Sequence, residues 1–287
     1  MEIFEKFILA HSLAPEPVLS DLVALGILEK PISDFTNADI GTEISIPYTD
    51  AGGVISGPIV FEVVGVNHHT NFRHRQTITL MSRDIIRYVA FDAKEPNNPD
   101  SNRAQYGNNR WSVSNIRQWL NSDGAAGSWW SAQHEYDAPP IAANVSDAAN
   151  VSDAAGAYAD APGFLAGFSA DVLQHFTDIT NTTVLCSTDG GGSETTVDKV
   201  FLPSSTEMGY ENLIEGSQLS KFTDEYSRKK TLSSGQSGAY WLRSVERSVD
   251  TELYNVKRIA TISARPNFLN NPPYSGYDGI APIIVLH

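Results

Sequence analysis

The sequence is nearly devoid of cysteine. It contains one cysteine, Cys186, among 287 residues, so an intrachain disulfide and a multi-cysteine metal site are both excluded. Cys186 follows the apolar pair Val184 and Leu185, a setting that is typical of a small buried hydrophobic residue. We expect the protein to bind neither a metal ion nor a cofactor.

Positive charge and long apolar runs are also scarce. Only 20 Lys and Arg residues stand against 34 Asp and Glu residues, which gives a formal net charge of −14 at pH 7. Such a protein is poorly suited to binding nucleic acid, because affinity for the phosphate backbone depends on basic side chains.

No apolar run approaches the roughly 20 residues that a transmembrane helix needs. The start of the chain carries acids where a signal peptide carries Lys or Arg, so we expect no signal peptide, no membrane insertion and synthesis in a cytoplasm.

Apolar periodicity predicts strands near both ends of the chain and helices between them. Alternating and β-branched residues indicate strands at 44–46, 59–66, 77–81, 199–202, 239–244, 253–263 and 280–286. Three-four spacing predicts helices that begin near residues 83 and 163, one over 112–121 with Ser112 as its N-cap, and partial helix over 217–230. This order indicates an α+β fold with a mixed or antiparallel sheet, and we expect the strands from the two ends of the chain to meet in one sheet.

The first residues form a separate apolar pattern. Residues 3–30 predict two short helices, broken by Pro15 and Pro17. We interpret residues 1–38 as a helical segment for attachment or oligomerisation and residues 39–287 as the main domain. A terminal helix packed on its own domain is an equally good interpretation of the same pattern.

Three imidazoles fall in the predicted loop after the strand at 59–66. His68, His69 and His74 could together ligate zinc or nickel, but the loop contains no carboxylate, and Arg73 and Arg75 would repel a cation. We therefore favour a solvated, hydrogen-bonding loop.

No complete catalytic constellation is present in the sequence. His134 and Asp137 could form the orienting half of a triad, but no Gly-x-Ser-x-Gly motif supplies a nucleophile. Trp129 and Trp130 could stack on a sugar, and we favour a place in the core. Other serines are better explained as caps or strand ends: Ser112, Ser204 and Ser244. Ser204 with Glu207 matches a capping box, which predicts another helical turn there.

Two arginines, Arg117 and Arg243, lie among apolar residues. Asp92, Glu95 and Asp198 are their candidate partners, and a partly buried network that stabilises the fold is favoured over a catalytic cation.

The segment 267–278 is the best candidate for a contact surface, because Tyr and Asn give contact area and hydrogen bonds at small entropic cost. An ordinary hairpin loop between the last two strands is the alternative. The candidate ligand-binding residues are Asn267, Asn270, Asn271, Tyr274 and Tyr277.

Four ordered motifs resemble a bacterial and phage family known as domain of unknown function 6273. They are Trp-x-x-Ser-x-Ile-Arg-x-Trp-Leu-Asn at 111–121, Asp-Lys-Val-Phe-Leu-Pro-Ser at 198–204 with Glu207, Tyr-Trp-Leu-Arg-Ser at 240–244 and Gly-Ile-x-Pro-x-Ile-x-Leu at 279–286. The resemblance covers roughly residues 40–287. Ala281 stands where the family usually has Arg, so a pair with a core carboxylate would be lost here unless Arg243 or Arg265 replaces it.

The terminal pattern at 279–286 is also similar to modules with a C-type-lectin-like fold of the formylglycine-generating-enzyme subtype. The resemblance implies a compact domain whose last third displays ligand-facing loops. It suggests a non-enzymatic phage virion protein, part of a fibre, spike or tail, that recognises a glycan or protein on the host surface. Virion proteins would be partners through the N-terminal segment, and multiple copies or a homo-oligomer are expected because single glycan contacts are weak.

Two other functions fit the sequence less well. The first is a structural protein that decorates a capsid, collar or tail without binding a receptor. The second is an enzyme of the formylglycine-generating or hydrolytic kind. The former chemistry uses a cysteine pair to hold copper, which the lone Cys186 cannot supply.

Overall fold

Most of the predicted strands are present, and they form two sheets and a hairpin. The computed structural model describes residues 21–70, 76–145, 156–232, 234–245, 256–262 and 265–287, with the side chains of 188 and 256–271 left outside the description. The strands are β1 (Glu43–Ile46), β2 (Ile59–Val66), β3 (Ile78–Ser82), β4 (Arg87–Tyr88), β5 (Ile179–Val184), β6 (Ser193–Asp198), β7 (Val200–Phe201), β8 (Tyr240–Val245), β9 (Val256–Ile262), β10 (Arg265–Asn271), β11 (Gly279–Ile280) and β12 (Ile283–Leu286).

The helices of the described residues are short. The α-helices are α1 (Ser101–Tyr106), α2 (Asn115–Leu120) and α3 (Ala170–Leu173). Single 3-10 turns cover Ile32–Asp34, Asn37–Asp39, Trp111–Val113, Phe164–Gly167, Ser187–Asp189 and Tyr226–Arg228. None of these helices has the length and apolar character needed to cross a bilayer.

The first sheet joins the two ends of the main domain. Its order is β1-β2-β3-β12-β7, and all its neighbours are antiparallel. Strand β12 lies between β3 and β7, and all four of its residues are buried. A strand that is buried on both faces has a continuous apolar sequence, which is why Ile283–Leu286 shows no alternation.

The second sheet has the order β10-β9-β8-β11-β4 and is mixed, since β11 pairs parallel with β8 and antiparallel with β4. Strands β5 and β6 form a separate antiparallel hairpin. The prediction of an α+β fold with a mixed or antiparallel sheet is therefore confirmed.

Tryptophans lie at the centre of the core between these elements. Trp111, Trp119 and Trp241 are each at most 1% exposed. Their indole N–H groups donate to the Asp198 carboxylate and to the carbonyls of Pro162 and Val89, at 3.0, 2.8 and 2.8 Å. These partners offset the cost of removing the three indole N–H groups from water.

Part of the predicted N-terminal segment packs on the main domain. Leu22, Ile27, Leu28 and Phe35 belong to the same buried cluster as the sheets. The Gln76 amide nitrogen also lies 3.0 Å from three carbonyl oxygens of the segment 32–35. Residues 22–26 make a turn where the second of the two helices was predicted, and the first predicted helix, which precedes Pro15, lies outside the described residues.

Of two other helix predictions, the one after residue 83 was wrong and the one after residue 163 was right only in part. The segment after residue 83 contains β4, because Arg87 and Tyr88 pair with β11. The segment after 163 makes a 3-10 turn and α3, and it then enters β5 at Ile179. A short apolar run is compatible with the residue spacing of a helix and with that of a strand, and here the β-branched residues of β5 favour a strand from Ile179 onward. Helix α2 begins later than predicted, with Ser114 as N-cap in place of Ser112.

Candidate functional site

The predicted contact segment 267–278 divides into a strand and a loop. Residues 267–271 lie in β10 and pair with β9, so the prediction of a loop is wrong for this part. The side chains of Asn267, Asn270 and Asn271 lie outside the description. The loop that leads to β11 consists of residues 272–278 and carries both predicted tyrosines.

This loop is held in place by backbone hydrogen bonds. The Pro273 carbonyl accepts from the N–H groups of Phe91 and Asp92, at 2.8 and 3.1 Å. The Tyr274 N–H donates to the Tyr106 carbonyl at 3.3 Å. The loop therefore presents its side chains from a defined backbone, which lowers the entropic cost of binding.

Aromatic side chains of this loop form a surface with two residues from elsewhere. The rings of Tyr274 and Tyr106 lie 6.1 Å apart, and the Lys94 ammonium lies 4.3 Å from the centre of the Tyr274 ring. Tyr277 is 46% exposed. We call Lys94, Tyr106 and Tyr274, together with the exposed Tyr277 three positions further along the same loop, the tyrosine surface. It combines flat apolar faces with hydroxyl and ammonium donors, which are the groups that contact sugars and peptides.

The sequence near α1 explains how Tyr106 reaches this surface. The Asp100 side chain caps α1 by accepting from the N–H groups of Asn102 and Arg103, at 2.9 and 3.4 Å. The helix ends at Gly107, which has φ +80°, and a Cβ there would lie 2.4 Å from the Ala93 carbonyl oxygen. Only glycine allows this close approach. Tyr106 and Lys94 were missed because nothing in the sequence connects them with residues 272–278.

A buried carboxylate fixes the backbone segments that lie next to this loop. Asp92 accepts from the backbone N–H groups of Asn108 and Asn115, at 2.8 and 2.9 Å. Burial raises the pKa of the Asp92 carboxyl well above its usual range, although the two hydrogen bonds oppose this shift. Asp92 therefore organises the backbone from which the tyrosine surface is presented, and it is not a partner of Arg117 or Arg243.

The strongest buried ion pair joins Arg243 to Glu207. Both side chains are 1% exposed, and two guanidinium nitrogens lie 2.5 and 2.9 Å from the two carboxylate oxygens. The same guanidinium donates to the carbonyls of Leu202 and Glu215, at 2.8 and 2.9 Å. The predicted buried network around Arg243 is therefore present, but the carboxylate that pairs with Arg243 is not one of the three predicted partners, Asp92, Glu95 and Asp198.

Glu207 has a second role, which the sequence did reveal. Ser204 and Glu207 match a capping box, and the box is present: the Ser204 N–H donates to Glu207 at 2.8 Å, and the Glu207 N–H donates to the Ser204 hydroxyl at 3.0 Å. Burial would raise the pKa of Glu207, but the charge of Arg243 and the hydrogen bond from His69 outweigh it and hold that pKa well below its usual range.

His69 is part of this network, so the prediction of a solvated loop is wrong for this residue. Its Nε2 lies 2.9 Å from Glu207, and its Nδ1 lies 3.2 Å from the Thr79 hydroxyl. The imidazole is drawn inward by a carboxylate that is 138 positions away in the chain. No group of three or more metal-ligating side chains occurs in the described residues, which do not include His74.

The second arginine, Arg117, has the predicted partner Asp198, with 2.6 Å between Nε and Oδ1. Asp198 is 1% exposed. It also accepts hydrogen bonds from three more side chains, those of Trp111, Asn181 and Thr196. This prediction is confirmed, and the role of the pair is structural.

Other candidate groups also have structural roles. Trp129 is 6% exposed and stacks on Tyr158 with 5.4 Å between ring centres, so its predicted place in the core is confirmed. Asp137 accepts from the backbone N–H groups of Gln133 and His134, at 2.7 and 2.8 Å, and thereby caps a turn. The Ser244 hydroxyl donates to Glu215 at 2.5 Å within the core.

We predict that His68 makes the protein less stable in mild acid. Burial lowers the pKa of His68 to about 4, and the neighbouring His69 contributes to this shift. The unfolded imidazole, with a pKa of 6.5, binds more protons than the folded one between about pH 6.5 and pH 4. The free energy of unfolding should therefore be highest above pH 6.5 and fall by about 2 kcal/mol as the pH drops to 4. This loss is smaller than the full pKa shift implies, because the imidazole is partly exposed and solvent screens its charge.

Urea unfolding at a series of pH values tests this prediction. The His68→Asn variant should show a smaller loss of stability between pH 6.5 and pH 4 than the original protein. His134→Gln replaces an imidazole that is half exposed, and it serves as the matched control. Equal pH dependence of the original protein and His68→Asn would show that His68 is not responsible.

Comparison with known proteins gives one match. A family model described as a domain of unknown function (DUF6273) matches residues 76–287. No curated protein and no solved structure matches the chain. Because the matched segment is well over half of the sequence, the chain belongs to the DUF6273 family.

Proposed function

We propose that this protein is a non-enzymatic phage virion protein that uses a lectin-like domain to recognise the host surface. The observation that carries the proposal is the tyrosine surface, where a backbone-anchored loop presents Tyr274 beside Tyr106 and Lys94 and also carries the exposed Tyr277. The phage setting rests on the resemblance of the four sequence motifs, and the C-type-lectin-like relationship rests on the terminal motif at 279–286.

The buried charges favour recognition over catalysis. Glu207, Arg243 and His69 contact one another in the core, and Asp198 accepts from four side chains there. Groups arranged in this way stabilise a scaffold, because none of these side chains reaches a substrate from the core. A rigid scaffold with a preorganised aromatic surface is suited to binding a glycan or a protein.

The tyrosine surface can be tested by alanine substitution. We expect Tyr277→Ala and Tyr274→Ala each to weaken binding to host cells or to immobilised host-surface glycans by roughly tenfold, since a central aromatic contact contributes more than 1 kcal/mol. Flow cytometry with the labelled full chain measures binding to host cells, and surface plasmon resonance measures binding to immobilised glycans. Tyr226→Ala is the matched control, because Tyr226 is 57% exposed and lies in a different segment.

Immunolabelling of the particle decides where the protein acts. Label on a fibre, spike or tail tip is expected, together with loss of adsorption in the tyrosine variants. Label over the shell or collar with normal adsorption would instead favour a decoration protein. Label on no particle would contradict the virion proposal.

A further inference from the structure

Arg87 is a buried cation without the partners that other buried charges have. It is 8% exposed, and it forms no ion pair with any residue that the structure describes. Its Nε has no hydrogen-bond partner, and one Nη donates to the Ala157 carbonyl over a long 3.4 Å. Arg243, which is 1% exposed, has a bidentate carboxylate and two carbonyls, although its Nε is also unpaired. A guanidinium has five N–H donors, so most of those of Arg87 have no acceptor among the residues that the structure describes.

The faces of this guanidinium are covered while its donors stay free. Its central carbon lies 5.6 Å from the centre of the Trp119 ring and 6.0 Å from that of Tyr158. Burial lowers the pKa of Arg87, and the charge of Asp50 opposes this shift. Arginine nevertheless stays protonated in proteins, so a positive charge is held here between aromatic rings.

Arg87 lines a cleft of about 320 Å³ whose other walls are mainly small and apolar. Pro140 and Tyr158 line it, and Val54 and Ile141 stand at its wall with 52% and 41% exposure. A cleft of this size holds on the order of ten water-sized groups, enough for a small organic molecule. Asp160, an exposed residue, is the carboxylate in its lining. The oxygens of Asp50 are occupied by backbone N–H groups of its own turn.

We propose that this cleft binds a small organic monocarboxylate with an apolar or aromatic body. The carboxylate would accept the free N–H donors of Arg87, because planar guanidinium and carboxylate groups match in a bidentate pair. The apolar body would lie along Pro140, Ile141 and Val54. This site is separate from the tyrosine surface and does not depend on the proposed recognition function.

Calorimetric titration of the full chain with matched probes tests the proposal. The probes are 3-phenylpropanoate, benzoate and hexanoate, with 3-phenylpropan-1-ol as an uncharged analogue of the first and inorganic phosphate as an anion without an apolar body. The original protein should bind 3-phenylpropanoate at least tenfold more tightly than the alcohol. Arg87→Gln should remove this preference and leave affinity for the alcohol unchanged, which a collapsed cleft would not do.

A second variant keeps the test valid if Arg87→Gln fails to fold. Asp160→Asn removes an exposed negative charge from the cleft, so it should strengthen carboxylate binding about twofold to fivefold without changing affinity for the alcohol. Arg83→Gln is the control for loss of an exposed arginine, and carboxylate affinity should be unaffected. Equal binding of acid and alcohol by the original protein, no saturable binding of the three carboxylates, or binding of phosphate alone would overturn the proposal.

Discussion

Replacing Glu207 with alanine is expected to destabilise the protein by about 3–5 kcal/mol, because it leaves the buried guanidinium of Arg243 without its counter-charge. The same change removes the acceptor for the Ser204 N–H and the partner of His69. The free energy of unfolding in urea at pH 7 measures the loss. No other single carboxylate of the described residues serves an ion pair, a capping box and an imidazole together.

Two comparisons show whether the ion pair itself is responsible. Glu43→Gln breaks a pair with Arg83 in which both side chains are about half exposed, and it should cost less than about 1 kcal/mol. The double replacement Glu207→Leu with Arg243→Met removes both charges and should be more stable than Glu207→Ala alone. If Glu207→Ala and Glu43→Gln lose the same amount, the buried pair does not hold the fold together.

Replacing Asp198 with alanine is the second change with a large expected effect, again about 3–5 kcal/mol. The carboxylate accepts from the Arg117 guanidinium at 2.6 Å and from Trp111, Asn181 and Thr196 at 3.0, 3.0 and 2.6 Å. Its loss leaves several buried donors unsatisfied at once, and an unsatisfied buried donor costs about 1–3 kcal/mol. Urea unfolding followed by tryptophan fluorescence measures the effect.

Asp178→Asn is the matched control for this experiment. Asp178 pairs with Lys199 at 3.1 Å, but its side chain is 55% exposed, so a loss below about 1 kcal/mol is expected. A double-mutant cycle between Asp198 and Arg117 isolates the energy of that pair from the other three hydrogen bonds. A loss with Asp198→Ala no larger than that of the control would contradict a central role for Asp198.

These effects on stability are distinct from those on binding. Tyr277 is exposed, so Tyr277→Ala should change affinity without changing the free energy of unfolding by more than about 0.5 kcal/mol. Glu207→Ala should lower the free energy of unfolding and leave the affinity unchanged, provided that affinity is measured at a temperature where the variant stays folded. Measuring both quantities for both variants separates the scaffold from its surface.

The pattern of neighbouring residues in the sequence was sufficient to predict those features that depend only on residues close together in the chain. The strand at 59–66 was predicted with the bounds that β2 has, because β-branched residues dominate it and a Gly-Pro pair precedes it. The Ser204–Glu207 capping box was recognisable because its two members are three positions apart. The segment after 83 was misassigned because a short apolar run fits the spacing of both a helix and a strand, and pairing with β11 made it a strand. The helical segment after 163 is interrupted and ends early, because the chain enters β5 at Ile179 and pairs with β6.

What the sequence alone determined is the class of the protein: an acidic, cysteine-poor α+β chain whose first and last strands share a sheet. Only the tertiary structure decided which charges meet. It joined Glu207 to His69 across 138 positions and to Arg243 across 36, and it placed Tyr106 against the loop of Tyr274. It also left Arg87 facing a cleft with free donors. Such contacts depend on the packing of sheets and loops that are distant in the chain, and periodicity records only which residues are buried.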